Sequence, residues 1–242
     1  MSARVNAVQS EVVRGGRVLA LAGLSDMVWG HVSARDPAGR GVWMKASGLG
    51  FEEVTDDDIL LLDWDGNVLA GRGAPHREYP IHTEILQGSV TAGSVVHVHP
   101  PHAIALAAAG LELQAFSHVG GIFAGGVRRY RDGAGLIDSA AAGAALADAL
   151  KDDRALFLTG HGVVTAGPSV AVAVATAVML ERACELQLLA EGYGGMAAPL
   201  TSDEALRIYA HTQADEHLLG AWAYLSRRVD RDGIGRSLPN AT

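Results

Sequence analysis

Two histidines separated by one residue, His97 and His99, close a short apolar stretch that ends at Pro100 and Pro101. In a β-strand, residues two apart project from the same face, so these imidazoles should point the same way, about 7 Å apart along the backbone. Proline cannot donate to a β-ladder, so the strand is predicted to stop there. Two imidazoles held at a rigid strand end form half of a metal site.

Two further side chains extend this pair to four ligands. His161 lies between two glycines directly after an apolar segment, and Glu78 lies in the loop before the helix that precedes His97. Glycines at such a turn let the backbone bend and approach closely. One carboxylate and three imidazoles suit Zn²⁺, and also Mn²⁺ or Fe²⁺, with room for a substrate. Six of the ten histidines fall between His76 and His118, which is typical of a functional site.

The elements that must position these residues follow an α/β pattern. Short hairpins alternate with helical crossovers, which predicts a layered α/β domain with a mixed sheet and helices on its faces. The strongest hairpin signal is Asp65-Gly66-Asn67, and residues 130–133 are interpreted as a turn. Strands are predicted at 30–35, 41–46, 59–64, 68–69, 95–99, 155–159 and 163–167, and helices at 2–24, 80–87, 101–109, 139–150, 168–191 and 201–228. We expect one domain over residues 1–228 and a mobile polar tail over residues 229–242.

The bulk composition excludes several classes of protein. Of 242 residues, 49% are hydrophobic and 19% are charged, which favours a compact core over disorder. The formal charge is −8 and no basic stripe is present, so nucleic acid is not an expected partner. No apolar run reaches the ~20 residues of a membrane span, and the N-terminus lacks the apolar core of a signal peptide. The single cysteine, Cys184, excludes an internal disulfide and indicates a cytoplasmic location.

Several motifs resemble the class II aldolase/adducin family over roughly residues 5 to 200. They are EYPIHTEILQGSVTAGSVVHVHP at 78–100, TGHGVVTAG at 159–167, LERACELQLLAE at 180–191, GHVSAR at 30–35 and ASG at 46–48. The resemblance implies a three-layer α/β/α sandwich and a cyclic homotetramer with active sites between subunits. It also implies one divalent metal ion per subunit, held by Glu78, His97, His99 and His161. In the aldolases the glutamate is also the acid/base catalyst, so Glu78 would have both roles.

The chain departs from the sugar-phosphate aldolases at their phosphate pocket. His31 stands where those enzymes have an asparagine, Ser47-Gly48 matches their Thr/Ser-Gly pair, and His76 and Arg77 replace two serines. A guanidinium is a flat fork that suits a carboxylate, whereas small hydroxyls fit around a phosphate. We therefore expect a compact carboxylated substrate, bound by His31, Ser47, Gly48 and Arg77.

The family also contains metal-dependent decarboxylases of hydroxylated aromatic dicarboxylates, and the sequence looks more similar to those. The expected reaction is decarboxylation of a dihydroxyphthalate-type substrate through a metal-stabilised enolate, in aromatic catabolism. Arg77 would hold a carboxylate, and His76 or His118 would handle a proton. A class II aldolase is the main alternative, followed by a non-haem iron oxygenase or a non-catalytic adducin-like module. His82, one helical turn past Glu78, is interpreted as a supporting or packing residue.

Overall fold

An eight-stranded mixed sheet forms the centre of the fold in the computed structural model, which describes residues 3–115, 117–131, 135–195, 200–212 and 215–235. The strand order is β4-β3-β2-β1-β5-β8-β7-β6. Neighbouring strands are antiparallel except for the parallel pair β6 and β7. The strands are β1 (His31–Arg35), β2 (Val42–Lys45), β3 (Ile59–Leu62), β4 (Val68–Ala70), β5 (Ser94–Val98), β6 (Arg128–Tyr130), β7 (Ala155–Leu158) and β8 (Gly162–Gly167).

Helices cover both faces of this sheet. The described residues include α1 (Ala3–Leu21), α2 (Tyr79–Gly88), α3 (Pro101–Ala108), α4 (Ala140–Leu150), α5 (Val170–Gly192), α6 (Ser202–Thr212) and α7 (Asp215–Asp232), with 3-10 turns at Asp56–Asp58 and Gly120–Phe123. Helices α2 and α4 pack on one face, and α1, α3 and α5 pack on the other, with α7 against α1 and α5. The predicted mixed sheet between helical layers is therefore confirmed. Within the described residues, no helix combines the length and hydrophobicity that crossing a bilayer requires.

The strand β5 is buried on both faces. Val96 and Val98 join the hydrophobic core under α1 and α5, whereas Val95 joins the core under α2 and α4. Because side chains alternate along a strand, His97 faces the same side as Val95. His31 of β1 is directly opposite His97 in the antiparallel register, so both imidazoles lie beneath the layer of α2 and α4.

The structure corrects two of the predicted elements. Tyr130 belongs to β6, which pairs in parallel with β7, so the predicted turn over 130–133 was wrong at Tyr130, whereas Arg131 does lie in a turn. This strand has only three residues and two of them are arginines, so it lacks the apolar alternation by which a strand is recognised. The last predicted helix is two helices, α6 and α7, and α7 continues to Asp232. Residues 132, 133 and 236–242 lie outside the described residues.

Asp36 fastens the hairpin of β1 and β2, which carries His31 at one end. Its buried carboxylate accepts hydrogen bonds from the Trp43 indole at 2.8 Å and from the Arg40 guanidinium at 2.8 and 3.0 Å. The bond from Arg40 and that from Trp43 lower the pKa of Asp36 to about 2. The ionised carboxylate therefore stabilises the folded hairpin.

We predict that Asp36→Asn lowers the free energy of unfolding at pH 7 by about 2 kcal/mol, because the indole and guanidinium lose a charged acceptor. The folded-state pKa lies below the unfolded value of about 3.9, so this contribution is complete above pH 4 and is lost as the pH falls towards 2. In urea unfolding, the difference in the free energy of unfolding between wild type and variant should be smaller at pH 3 than at pH 7. The exposed Asp57→Asn is the control, and an equal loss in both variants would contradict the role of Asp36.

Candidate metal centre

Four predicted ligand residues, from three places in the chain, converge at one end of the central strands of the sheet. Glu78 immediately precedes α2, His97 and His99 lie at the end of β5, and His161 lies in the turn from β7 to β8. Because β5 and β8 are antiparallel neighbours, the end of one lies beside the start of the other. The Glu78 oxygens lie 3.6 Å from His97 Nε2 and 3.7 Å from His161 Nε2, and His97 Nε2 lies 3.2 Å from His99 Nε2.

Hydrogen bonds at the far side of two rings orient their free nitrogens towards this point. His97 Nδ1 lies 3.0 Å from the Val163 carbonyl, and His99 Nδ1 lies 2.9 Å from an Asp26 carboxylate oxygen. Both partners are acceptors, so a proton on Nδ1 satisfies each bond and leaves the Nε2 lone pair facing the cluster. Burial lowers the pKa of His97 well below its usual value, and the neighbouring imidazoles lower it further. His97 is therefore neutral, the form in which histidine binds metals.

The turn that carries His161 needs its glycines. A Cβ atom at Gly162 would lie 2.5 Å from the Val98 carbonyl oxygen and 2.9 Å from a ring carbon of His99. Gly160 has a φ of +77°, a backbone conformation that favours glycine. These two residues let the turn approach the end of β5 closely enough for the imidazoles to share one site.

The carboxylate of Glu78 is buried and partly fixed. One oxygen accepts a hydrogen bond from the Ile137 backbone N–H at 2.9 Å. The residue occupies the cap position of α2, where the helix dipole favours negative charge. The Ile137 N–H therefore holds one oxygen in place, while the other oxygen is directed towards the imidazoles of His31 and His97.

The donor set fits a single divalent ion. Nitrogens of His97, His99 and His161 lie within 4.8 Å of one another, as do donor atoms of His31, Glu78 and His97. His97 belongs to both groups, and Glu78 lies 3.6 Å from His97 and 3.7 Å from His161, so the two groups describe one ion position rather than two. Imidazole nitrogen with carboxylate oxygen is compatible with Zn²⁺, Mn²⁺ or Fe²⁺.

A second row of buried polar side chains leads away from this centre. His31 Nε2 lies 3.9 Å from a Glu78 oxygen, and its Nδ1 lies 2.6 Å from His82 Nε2. His82 Nδ1 in turn lies 2.6 Å from the Ser33 hydroxyl. The sequence analysis found His31 but not its connection to Ser33. The available signal was that Ser33 lies two residues after His31, on the same face of β1.

Lys45 was missed by the sequence analysis. It ends the apolar strand β2, is 2% exposed, and its ammonium group donates to the carbonyls of Val28 and Leu49. It also lies 3.0 Å from His76 Nε2. Burial lowers the pKa of Lys45 to about 8, and burial together with the Lys45 charge lowers the pKa of His76 to about 3. His76 is therefore a neutral acceptor for Lys45, and its Nε2 is already engaged.

The remaining predicted site residues lie at the surface. Arg77 has 75% of its side chain exposed and pairs with Asp138 at 2.7 Å. His118 is exposed in the turn before the second 3-10 segment. Ser47 and Gly48 are exposed directly after β2, at the end of the sheet where the antiparallel strand β1 begins. Within this single chain, the structure does not bury any of the four in the cluster.

The chain is similar to several known proteins over most of its length. The sequence model of the Class II Aldolase and Adducin N-terminal domain matches residues 10–188. A 3,4-dihydroxyphthalate decarboxylase from Arthrobacter keyseri is 35% identical over 203 residues, covering 78% of this chain and 80% of that protein. One from Terrabacter sp. (strain DBF63) is 33% identical over 217 residues, covering 84% and 90%. The solved L-fuculose 1-phosphate aldolase from Glaciozyma antarctica PI12 superposes with a TM-score of 0.85 over 97% of this chain and 94% of its own, at 24% identity.

We predict that His97→Ala reduces the affinity for a divalent ion at least ~10-fold, because changes even to residues that only support metal ligands cost that much. Elemental analysis of purified protein would give the metal-to-protein ratio. His102→Ala is the matched control, since His102 also pairs with a carboxylate, that of Glu181 at 2.7 Å, but belongs to the packing of α3 on α5. Unchanged metal content in His97→Ala would remove it from the ligand set.

Proposed function

The chain belongs to the class II aldolase and adducin family, and from that premise we propose that it is a divalent-metal-dependent carbon–carbon lyase acting on a hydroxylated aromatic dicarboxylate of the 3,4-dihydroxyphthalate type. The observation that carries this proposal is the convergence of Glu78, His97, His99 and His161 at one end of the central strands. The choice of decarboxylation is supported by the relatives that are about one-third identical over most of the chain. Retention of all four ligand residues argues against a non-catalytic adducin-like module.

The four converging residues would hold one ion, for which we propose Zn²⁺ or Mn²⁺, with Fe²⁺ as the alternative. When bound, a divalent ion supplies Lewis-acid stabilisation of the negative charge that develops on a substrate oxygen beside the breaking bond. Three imidazoles and the Glu78 carboxylate would offset only part of the charge of a divalent ion. The remaining positive charge would favour a substrate that brings its own negative charge over a neutral one.

Glu78 is the residue we assign to proton transfer. When CO₂ leaves an aromatic ring, the carbon that loses it must gain a proton, so the Glu78 carboxylate would first take the proton of a substrate hydroxyl and then deliver it to that carbon. One Glu78 oxygen is fixed by the Ile137 N–H, and the other faces His31 and His97. His76 is a poor donor because its pKa is held near 3 and its Nε2 accepts from Lys45. The sequence-based assignment of His76 to proton transfer is therefore replaced by a supporting role beside Lys45.

Substrate binding is proposed for residues on two sides of the cluster. His31 lies at the buried end, beside Glu78, and Ser47 and Gly48 lie at the exposed end of the same sheet edge. Arg77 adjoins Glu78 in sequence, and its guanidinium pairs with Asp138 in solvent. An exposed ion pair contributes only about 0–1 kcal/mol, so a substrate carboxylate can replace Asp138 at low cost.

We also propose the homotetramer with active sites between subunits that the family resemblance implies. The exposure of His118 in a single chain is compatible with a proton-handling role across a subunit boundary. A cytoplasmic location and a role in aromatic catabolism remain predictions, supported by the single cysteine and by the decarboxylase relatives.

We predict that the metal-loaded protein converts 3,4-dihydroxyphthalate to CO₂ and a dihydroxybenzoate, and that a chelator abolishes the reaction. Gas release measures the CO₂, and chromatography measures the dihydroxybenzoate formed with it. L-Fuculose 1-phosphate is the comparison substrate. Aldehyde release from the sugar phosphate, without CO₂ from the dicarboxylate, would overturn decarboxylation in favour of the aldolase alternative.

We predict that Arg77→Ala raises KM for the dicarboxylate about tenfold with metal content unchanged, because a bidentate charged hydrogen bond to the substrate is lost. Arg77→Lys keeps the positive charge but cannot make two parallel hydrogen bonds, so its KM should lie between those of wild type and Arg77→Ala. Arg182→Ala removes another exposed ion pair, with Glu185, and serves as the control. Wild-type kinetics in Arg77→Ala would exclude Arg77 from the site.

A further inference from the structure

We propose that Asp138 is a built-in competitor for the substrate carboxylate at Arg77, and that it promotes product release by taking the guanidinium back. The inference rests on the proposed function, because it takes Arg77 as the group that binds a substrate carboxylate. In the structure, Arg77 Nη2 donates to an Asp138 carboxylate oxygen at 2.7 Å. A second carboxylate at the same guanidinium would meet the negative charge of Asp138, so the two anions compete for one cation.

Asp138 is the fixed member of this ion pair, and Arg77 is the movable one. The residue before Asp138, Ile137, is 2% exposed, and its backbone N–H donates to a Glu78 oxygen at 2.9 Å. The residue after it, Ser139, caps α4 with its hydroxyl. By contrast, 75% of the Arg77 side chain is exposed, against 40% for Asp138. The backbone of Asp138 is therefore held on both sides, while the long Arg77 side chain can change partner.

The contact between α4 and α2 keeps the two residues near each other. A Cβ atom at Gly143 of α4 would lie 2.6 Å from the carbonyl oxygen of Pro80, in the first turn of α2. Ile137 joins the hydrophobic core between these helices and the sheet. Because Arg77 and Asp138 each directly precede or adjoin the start of one of these helices, the carboxylate of Asp138 stays within reach of Arg77 after a substrate has displaced it.

The strength of the pair suits an exchange of partners. An exposed ion pair of this kind shifts an equilibrium by at most about fivefold. Asp138 therefore cannot keep Arg77 from a dicarboxylate that also binds at the cluster of Glu78, His97, His99 and His161. It can compete effectively against a ligand that has lost one of its two carboxylates.

The chemistry of decarboxylation indicates which substrate carboxylate Arg77 holds. A guanidinium stabilises the charge of a carboxylate, and that charge is lost when the group leaves as CO₂. Binding the leaving carboxylate would therefore stabilise the reactant more than the transition state and slow the reaction. Arg77 is thus assigned to the carboxylate that stays on the ring. The product keeps this bond after the other carboxylate has gone, and Asp138 weakens it at the stage when the product must leave.

Binding of the product tests this role. The ligand is 3,4-dihydroxybenzoate, which remains when the carboxylate beside a ring hydroxyl departs, and isothermal titration of the Zn²⁺-loaded protein measures its affinity. Asp138→Asn should bind it about threefold more tightly than wild type, because the competing charge is removed. Asp138→Ala removes the same charge and should show the same gain. Structural damage beside Glu78 would weaken binding instead.

The rate of release supplies the second readout. Stopped-flow displacement of 3,4-dihydroxybenzoate should give a dissociation rate about threefold lower in Asp138→Asn than in wild type. Asp148→Asn removes one negative charge from an exposed position of α4 and is the matched control, which should bind as wild type does. The double variant Arg77→Ala/Asp138→Asn should bind as Arg77→Ala does, because the competition needs both members of the pair.

Unchanged or weaker product binding in Asp138→Asn would overturn the inference. An equal gain in Asp148→Asn, or a gain that persists without Arg77, would overturn it as well. Failure of the proposed function gives a different result, because wild type would then bind neither 3,4-dihydroxyphthalate nor 3,4-dihydroxybenzoate, and the inference would fail with it.

Discussion

The register of β1, β5 and β8 is the constraint on which the rest of the structure depends. It sets His31 opposite His97 and brings the Val163 carbonyl to His97 Nδ1. Since side chains alternate across a strand, a slip of one residue would turn His97 towards α1 and α5 and replace it with a valine. The buried apolar side chains on both faces of β5 prevent that slip. The hydrophobic core therefore fixes the positions of the candidate metal ligands.

Burying the imidazoles of His31 and His97 is tolerable because burial lowers their pKa and keeps them neutral, and because one nitrogen of each ring has a hydrogen-bond partner. The hydrogen-bond partners are the Val163 carbonyl for His97, the Asp26 carboxylate for His99 and the His82 ring for His31. A neutral, hydrogen-bonded imidazole costs far less to bury than an imidazolium. The same bonds leave the second nitrogen unengaged by the backbone, so the interactions that make burial possible also prepare the site for a ligand or a substrate.

Much of this arrangement could be predicted from local sequence, and what could not be predicted depends on contacts between distant segments. The alternation around His97 and the glycines around His161 indicated both the elements and the direction of the side chains. Lys45 gave no signal, because a lysine at the end of a strand is usually exposed and only the packing of Val28 and Leu49 around it shows otherwise. The contact between His82 and Ser33 depends on how α2 lies on β1, which no single segment specifies.

Charge and shape make separate contributions to substrate choice. Among the described residues, no carboxylate lies within ion-pair distance of Lys45, so its buried charge attracts any anion, a sugar phosphate as readily as a dicarboxylate. Charge therefore cannot distinguish the two. The size of the neighbouring side chains can distinguish them. The rings of His31 and His76, whose centroids are 4.6 Å apart, occupy a volume that small hydroxyl donors would leave open around a phosphate. This is the steric reason for proposing a planar dicarboxylate rather than a phosphorylated sugar as the substrate.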